Sequence, residues 1–182
     1  MNSFANSLPF SRTDLRREVG RELARRSILN FTQHTKPDYQ SNWHHHALAE
    51  ALNRLVKGEI KRLIVTMPPR HGKSELVSRR LPAYALGVNP DLRIIACSYS
   101  ADLASQMNRD VQRIIDDPRY AELFPKTRLS ASNIRTMAQG NYLRNSDMFE
   151  VVGKRGFYRS AGVGGGITGL GYDKIGRASC RE

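Results

Sequence analysis

The chain has 182 residues, with 29 lysines and arginines against 17 aspartates and glutamates, a formal net charge of +12. That length holds one cored domain and excludes two large ones. No apolar run approaches the roughly 20 residues that span a bilayer, no signal-type stretch opens the chain, and two cysteines, Cys97 and Cys180, build no disulfide framework. The composition predicts a soluble, intracellular protein with a polyanionic partner, nucleic acid before an anionic membrane.

Residues 1–10 carry no regular pattern and are expected to be loosely attached. From Ser11 to about Phe31, Leu15, Val19, Leu23 and Ile28 recur near helical spacing, with Ser11 or Thr13 as the cap. Arg12, Arg16, Arg17, Arg21, Arg25 and Arg26 line the other faces, either solvated or set against DNA. Lys36-Pro37-Asp38 breaks the chain. A second helix is predicted from Trp43 to Lys57, apolar along Leu48, Leu52, Leu55 and Val56 and stopped by Gly58.

Arg62-Leu63-Ile64-Val65-Thr66 is β-branched and apolar and reads as a buried strand. Met67 to Lys73 is a loop. Ser74 to about Gly87 is a helix that Pro82 should end early or kink. After an Asn89-Pro90-Asp91 turn, Leu92 to Ser98 forms a second apolar strand, in which Cys97 is a small buried residue. Ala101 to Asp117 is helical, with Leu103, Met107, Val111, Ile114 and Ile115 on one side, and Pro118 stops it. Residues 125–147 are polar and carry no assignment. Phe149–Val152 and Gly156–Ser160 are two neighbouring strands, and residues 161–171 are glycine-rich. Strand, helix, strand, helix in this order predicts an α/β fold with a parallel sheet and helices on its faces.

The strongest signal is Pro68-Pro69-Arg70-His71-Gly72-Lys73-Ser74, set between a predicted strand and a predicted helix. That is the context of a Walker A phosphate loop. Such a loop needs backbone N–H groups converging on phosphate oxygens, and Gly72 permits the close approach. The helix that follows points its positive end at the anion. Lys73 would reach the β- and γ-phosphates, and the Ser74 hydroxyl would bind Mg²⁺. Met67 stands where the usual pattern has its first glycine. The alternative is a basic turn that caps a helix.

Pro-Pro-Arg-His-Gly-Lys-Ser-Glu-Leu resembles the variant Walker A of phage terminase large subunits. Asn42-Trp43-His44-His45 upstream, and Leu86-Gly87-Val88-Asn89-Pro90, Cys97-Ser98-Tyr99-Ser100, Leu123-Phe124-Pro125 and Gly162 to Gly169 downstream, are similar to that family too. The resemblance covers roughly residues 39 to 173. It implies a P-loop NTPase fold, RecA-like and of the ASCE type, present here in part. It also implies an ATPase motor that drives double-stranded DNA into a procapsid, with ATP and Mg²⁺ as cofactors. Arg70 would then sense or stabilise the γ-phosphate, against the plainer reading of a loop salt bridge. The phosphate-loop set becomes Pro69, Arg70, His71, Gly72, Lys73 and Ser74, with Lys73 and Arg70 catalytic and Ser74 on the metal. Trp43 or His44 would lie near the adenine, against packed aromatics at a helix start. Implied partners are DNA, the small terminase subunit and the portal, on which the motor forms a homo-oligomer. No membrane is implied, and the place of action is the cytoplasm of a bacterial host cell carrying the phage or prophage.

Four weaker constellations stand beside this one. His44, His45 and His46 point in three directions on a helix and form no tetrahedral metal site. Ile114-Ile115-Asp116-Asp117 imitates a Walker B motif, yet it continues a helical period and is read as a solvated helix end. Ser98-Tyr99-Ser100 would sit at the carboxyl edge of the sheet, where α/β proteins place ligands, or form an ordinary turn. The glycine-rich run would be an anion nest or a mobile loop.

The resemblance stops at Asp173, where an apolar strand and two acids would follow. Instead Ile-Gly-Arg-Ala-Ser-Cys-Arg-Glu closes the chain. This string back-translates to codons that look like a short-read sequencing adapter, whose two preceding bases also fit the end of a lysine codon at Lys174. Residues 174–182 are therefore expected to be a non-native tail, behind a basic helical segment over 1–38 and a partial ATPase domain over 39–173. Without the Walker B acids the chain should not turn over ATP and should fold poorly alone, with Leu63–Val65 and Ile94–Ala96 left as exposed edges. Two rival functions remain at this stage: a helicase-like DNA translocase and a non-catalytic DNA-binding fragment.

Overall fold

A computed structural model describes residues 11–129, 134–135, 142–162 and 171–177. The expectations for residues 1–10, for the glycine-rich run over 163–170, for most of 130–141 and for Cys180 lie outside the described residues.

The first helix, α1 (Arg12–Arg26), starts where Ser11 Oγ accepts the Asp14 N–H at 3.1 Å while the Asp14 carboxylate accepts the Ser11 N–H, a reciprocal capping box. It does not run on to Phe31. Ser27 is extended (φ −140°, ψ 130°), and α2 (Ile28–Thr35) begins beyond it. The apolar stripe is also turned the other way: Ala24 faces the core, whereas Leu15, Val19 and Leu23 are exposed. Polar contacts dock this helix. Arg21 reaches the Glu122 carboxylate at 3.2 Å, and Arg25 Nε donates to the Leu123 carbonyl at 3.1 Å. In α2, Ile28, Leu29 and Phe31 are buried and enter the common core.

Helix α3 (Trp43–Lys57) has the predicted span. Asn42 caps it, Leu48, Ala49 and Leu52 are buried, and Gly58 closes it at φ 79°, a left-handed position that glycine takes without a Cβ clash. Residues 62–66 depart from the buried strand expected of them. Leu63, Val65 and Met67 pack partly against the core and Ile64 is 93% exposed, so the period of two is present. Among the described residues, however, no strand pairs with the segment. An extended chain becomes a strand only when a neighbour takes its N–H and C=O groups.

A helical run over 73–88 follows. Its middle, Glu75–Arg80, is π-helical, and it continues as α4 (Leu81–Val88). Pro82 neither ends this run nor breaks it. Proline lacks an N–H, and its ring crowds the carbonyl four residues back. The wider π turn, closed by Leu81 N–H to the Leu76 carbonyl, gives that ring room in the first turn of α4.

Strand β1 (Arg93–Cys97) leads into α5 (Ala101–Asp116) and α6 (Pro118–Leu123); Pro118 ends one helix and opens the next. The strands β2 (Ile134–Arg135) and β3 (Tyr142–Leu143) pair parallel as a separate small sheet. β4 (Met148–Glu150), β5 (Phe157–Ala161) and β6 (Lys174–Arg177) complete the main sheet, ordered β4-β5-β1-β6. Only β4 is antiparallel; β1 runs parallel to β5 with Arg93 opposite Phe157, and to β6 with Ile94 opposite Lys174.

The edge expected at Ile94–Ala96 is therefore covered on both sides. Cys97 is half-buried rather than buried. The core gathers Phe31, Leu52, Leu76, Leu86, Val111, Tyr120, Phe149 and Tyr158 between the sheet and the helices.

Candidate functional site

The turn at residues 68–74 stands at the head of the 73–88 helical run. Pro68 to His71 are exposed, and Gly72, Lys73 and Ser74 are half-buried. Arg70 has φ 62° and Gly72 φ 77°, while His71 and Lys73 are not in the positive region. Alternation of hand between successive residues swings consecutive main-chain N–H groups toward one side and makes an anion-binding concavity. The helix begins at once, with Leu76 N–H on the Gly72 carbonyl at 3.2 Å. Its first N–H groups have no intrahelical partner. His71 Nδ1 lies 2.8 Å from the Pro69 carbonyl; the carbonyl can only accept, so this nitrogen carries the proton and ties the turn across itself. Arg70 and Lys73 have no ion pair among the described residues.

The N-terminus of α3 stands beside this turn. The ring of Trp43 is 77% exposed and meets His44 edge-on at 5.7 Å. His44 lies 4.0 Å from the His45 ring and 5.9 Å from His71. His44 Nε2 is buried without a hydrogen-bond partner, and so is the Tyr39 hydroxyl, whose ring is 5.5 Å from His45. His46 turns instead to Ser41 Oγ at 3.4 Å. The fold thus brings His44 and His45 to the turn that holds Arg70, His71, Gly72 and Lys73, with Trp43 exposed beside His44.

Behind the turn lies a charged cluster that the sequence reading did not single out. Glu75 takes Arg80 Nε at 2.8 Å and Arg79 at 3.3 Å, with Lys36 at 3.8 Å. Arg80 is buried and also donates to Thr35 Oγ1 at 2.7 Å, while Arg79 reaches Asp110 on α5 at 2.8 Å. Burial alone would raise the Glu75 carboxyl. The Arg80 hydrogen bond, with the charges of Lys36 and Arg79, overrides it and holds the carboxyl below its ordinary value. The signal available in the sequence was a glutamate four and five residues ahead of two arginines on a helix. His45 was passed over as well, although it stands three residues after Asn42, at capping-box spacing.

The remaining sequence features lie apart from the turn. Asp116 pairs with Arg144, and Asp117 caps α6 by accepting the Arg119 N–H, so neither is a sheet-end acid. Ser98 N–H bonds the Ala161 carbonyl, Tyr99 is exposed, and Ser100 Oγ caps α5 through the Leu103 N–H at 3.2 Å.

These elements define a mixed α/β protein whose four-stranded, mostly parallel sheet is flanked by helices, with a sharply folded turn opening one of them. The chain belongs to the family of terminase large subunits: the family model described as "Terminase large subunit, T4likevirus-type, N-terminal" matches residues 64–176, from just ahead of the turn into β6. Membership implies a role in phage DNA packaging, in a family that is generally an ATPase and works with DNA and packaging partners. No curated protein and no solved structure matches the chain. Among the described residues no helix is long and apolar enough to cross a membrane.

Proposed function

We propose that Pro68–Ser74 is the phosphate-binding loop of the ATPase motor that packages double-stranded DNA, on a RecA-like sheet. The observation that carries this reading is the alternation of backbone hand at Arg70, His71, Gly72 and Lys73, directly ahead of a helix and inside the family match. The surroundings fit a nucleotide. Arg70 and Lys73, which have no ion pair among the described residues, supply positive charge, and His44 offers a buried Nε2 with no hydrogen-bond partner among them.

On this reading Lys73 holds the β- and γ-phosphates and the Ser74 hydroxyl holds Mg²⁺. Gly72 lets the backbone come close, and His71 keeps the turn closed through the Pro69 carbonyl. Arg70 stabilises charge that develops on the γ-phosphate. A Mg²⁺ ion held there would supply neutralisation of the charge on the phosphate oxygens. Trp43 presents an open ring face for the adenine, and His44 Nε2 a polar partner for its edge. The motor works with the small terminase subunit and the portal, as a homo-oligomer on the portal.

Equilibrium titration of the 182-residue chain with ATP and Mg²⁺ tests the loop. Lys73→Ala is expected to weaken ATP binding at least tenfold while the melting temperature holds. Equal affinity in Lys73→Ala and the unaltered chain would remove the assignment.

A further inference from the structure

We infer that the outer face of α1 is a docking surface for an acidic amphipathic helix of a partner protein.

Leu15, Val19 and Leu23 recur four residues apart and so form one line along the helix. They are 60%, 51% and 50% exposed. The side of α1 that meets the body is engaged by other residues: Ala24 is buried, and Arg21 and Arg25 reach Glu122 and the Leu123 carbonyl. A single exposed apolar residue is ordinary, but three in register on one helix mark a contact surface.

The charge beside this line selects the occupant. Arg12 and Arg16 stand three residues ahead of Leu15 and Val19, are exposed, and have no ion pair among the described residues. At the other end Arg26, three residues after Leu23, borders a recess of about 280 Å³ that is also lined by Val56, Lys57, Tyr84 and Val88. Glu22 answers Arg26 at 2.7 Å, whereas Lys57 has no ion pair among the described residues. The surface is thus an apolar line bordered by unanswered cations. A helix that sets leucines against the line and carboxylates against its borders satisfies both features.

Other occupants satisfy one feature and fail the other. A duplex answers the arginines but leaves three apolar side chains in water. A second copy of the chain matches the apolar line but sets arginine against arginine. A bilayer would have to submerge Arg12 and Arg16, because helical spacing places them on the apolar side itself.

Two labelled helical peptides of about 20 residues test the surface on the full 182-residue chain. Both carry leucines at alternating three- and four-residue spacing; one has glutamates beside them and the other lysines. Anisotropy titration is expected to show binding of the glutamate peptide, with the lysine peptide at least tenfold weaker. The triple variant Leu15→Gln, Val19→Gln, Leu23→Gln and the double variant Arg12→Gln, Arg16→Gln should each weaken the glutamate peptide about tenfold. Melting temperature should hardly change, since all five positions are exposed. Absence of glutamate-peptide binding, equal binding of the two peptides, or binding that survives in the triple variant overturns the inference. Capture of a DNA duplex or of phosphatidylserine vesicles that the triple variant loses also overturns it, as does a dimer in sedimentation that the triple variant lacks, because each names a different occupant.

Discussion

Gly72 answers to two constraints at once. Its φ of 77° is strained for any residue with a Cβ, and a Cβ would meet His45 Nε2. Gly72→Ala is expected to cost about 1–2 kcal/mol from the backbone alone, with a steric share added to it. The two shares separate in a double-mutant cycle. With His45→Ala the clash disappears and the backbone cost stays, so the double variant should be more stable than the two single losses predict. Urea unfolding gives the coupling; additivity within about 0.5 kcal/mol would show that the ring does not press on Gly72.

The same ring makes stability depend on pH. Burial, then the neighbouring charge of His44, lowers the His45 pKa; the His71 carbonyl opposes this, and His46 and His71 add to it. Tyr39 faces the ring as a neutral phenol. A ring kept neutral in the folded chain binds its proton more readily after unfolding, near the ordinary 6.5. Its contribution is therefore present above that pH and lost as pH falls below it. Between about pH 7.5 and 5.5 the unaltered chain should lose more melting temperature than His45→Gln does, and parallel losses would assign the effect to other groups.

At the scale of elements, the helical run behind the turn is held by charge as well as by Leu76. Glu75 joins Arg79, Arg80 and Lys36, and through Arg79 the run is tied to Asp110 on α5. Glu75→Gln strands a buried Arg80. The expected cost is about 2 kcal/mol, below that of a fully enclosed pair because water still reaches the carboxylate. Since the Glu75 pKa is held down, its contribution is complete above the ordinary 4.5 and disappears as pH falls through the folded value. The difference in urea midpoint between Glu75→Gln and the unaltered chain should shrink on acidification; a constant difference would mean that the carboxylate charge plays no part.

What could be read in advance divides along the same lines. Helix α3 was legible because its signals are local: Asn42, an apolar face, Gly58. Helix α1 was legible as a helix but not in its facing, since Arg21 and Arg25 dock it through Glu122 and the Leu123 carbonyl, about a hundred positions away. Residues 62–66 carry the alternation of a strand, yet strand character belongs to the pair, and a sequence does not show which neighbour is beside it. The turn at 68–74 was legible from its residues. The approach of His45 to Gly72 was not, because that contact appears only when α3 folds back onto the loop.

Over the whole molecule, the excess of positive charge is not spread evenly. In the second half of α1, Arg21, Arg25 and Arg26 are neutralised by Glu18, Glu22 and Glu122. In the first half, Arg12, Arg16 and Arg17 are exposed and have no ion pair among the described residues. Paired cations release few counterions when DNA arrives, because their charge is already answered, whereas free ones each add to the salt dependence. If the N-terminal half of α1 meets the duplex, replacing these three arginines by alanine should flatten the slope of log affinity against log salt by about 2 to 3. Their exposure predicts little change in melting temperature. Duplex titrations at several salt concentrations supply both slopes. An unchanged slope would move the DNA-facing surface elsewhere on the molecule, since a uniform loss of folded protein lowers affinity without altering how it responds to salt.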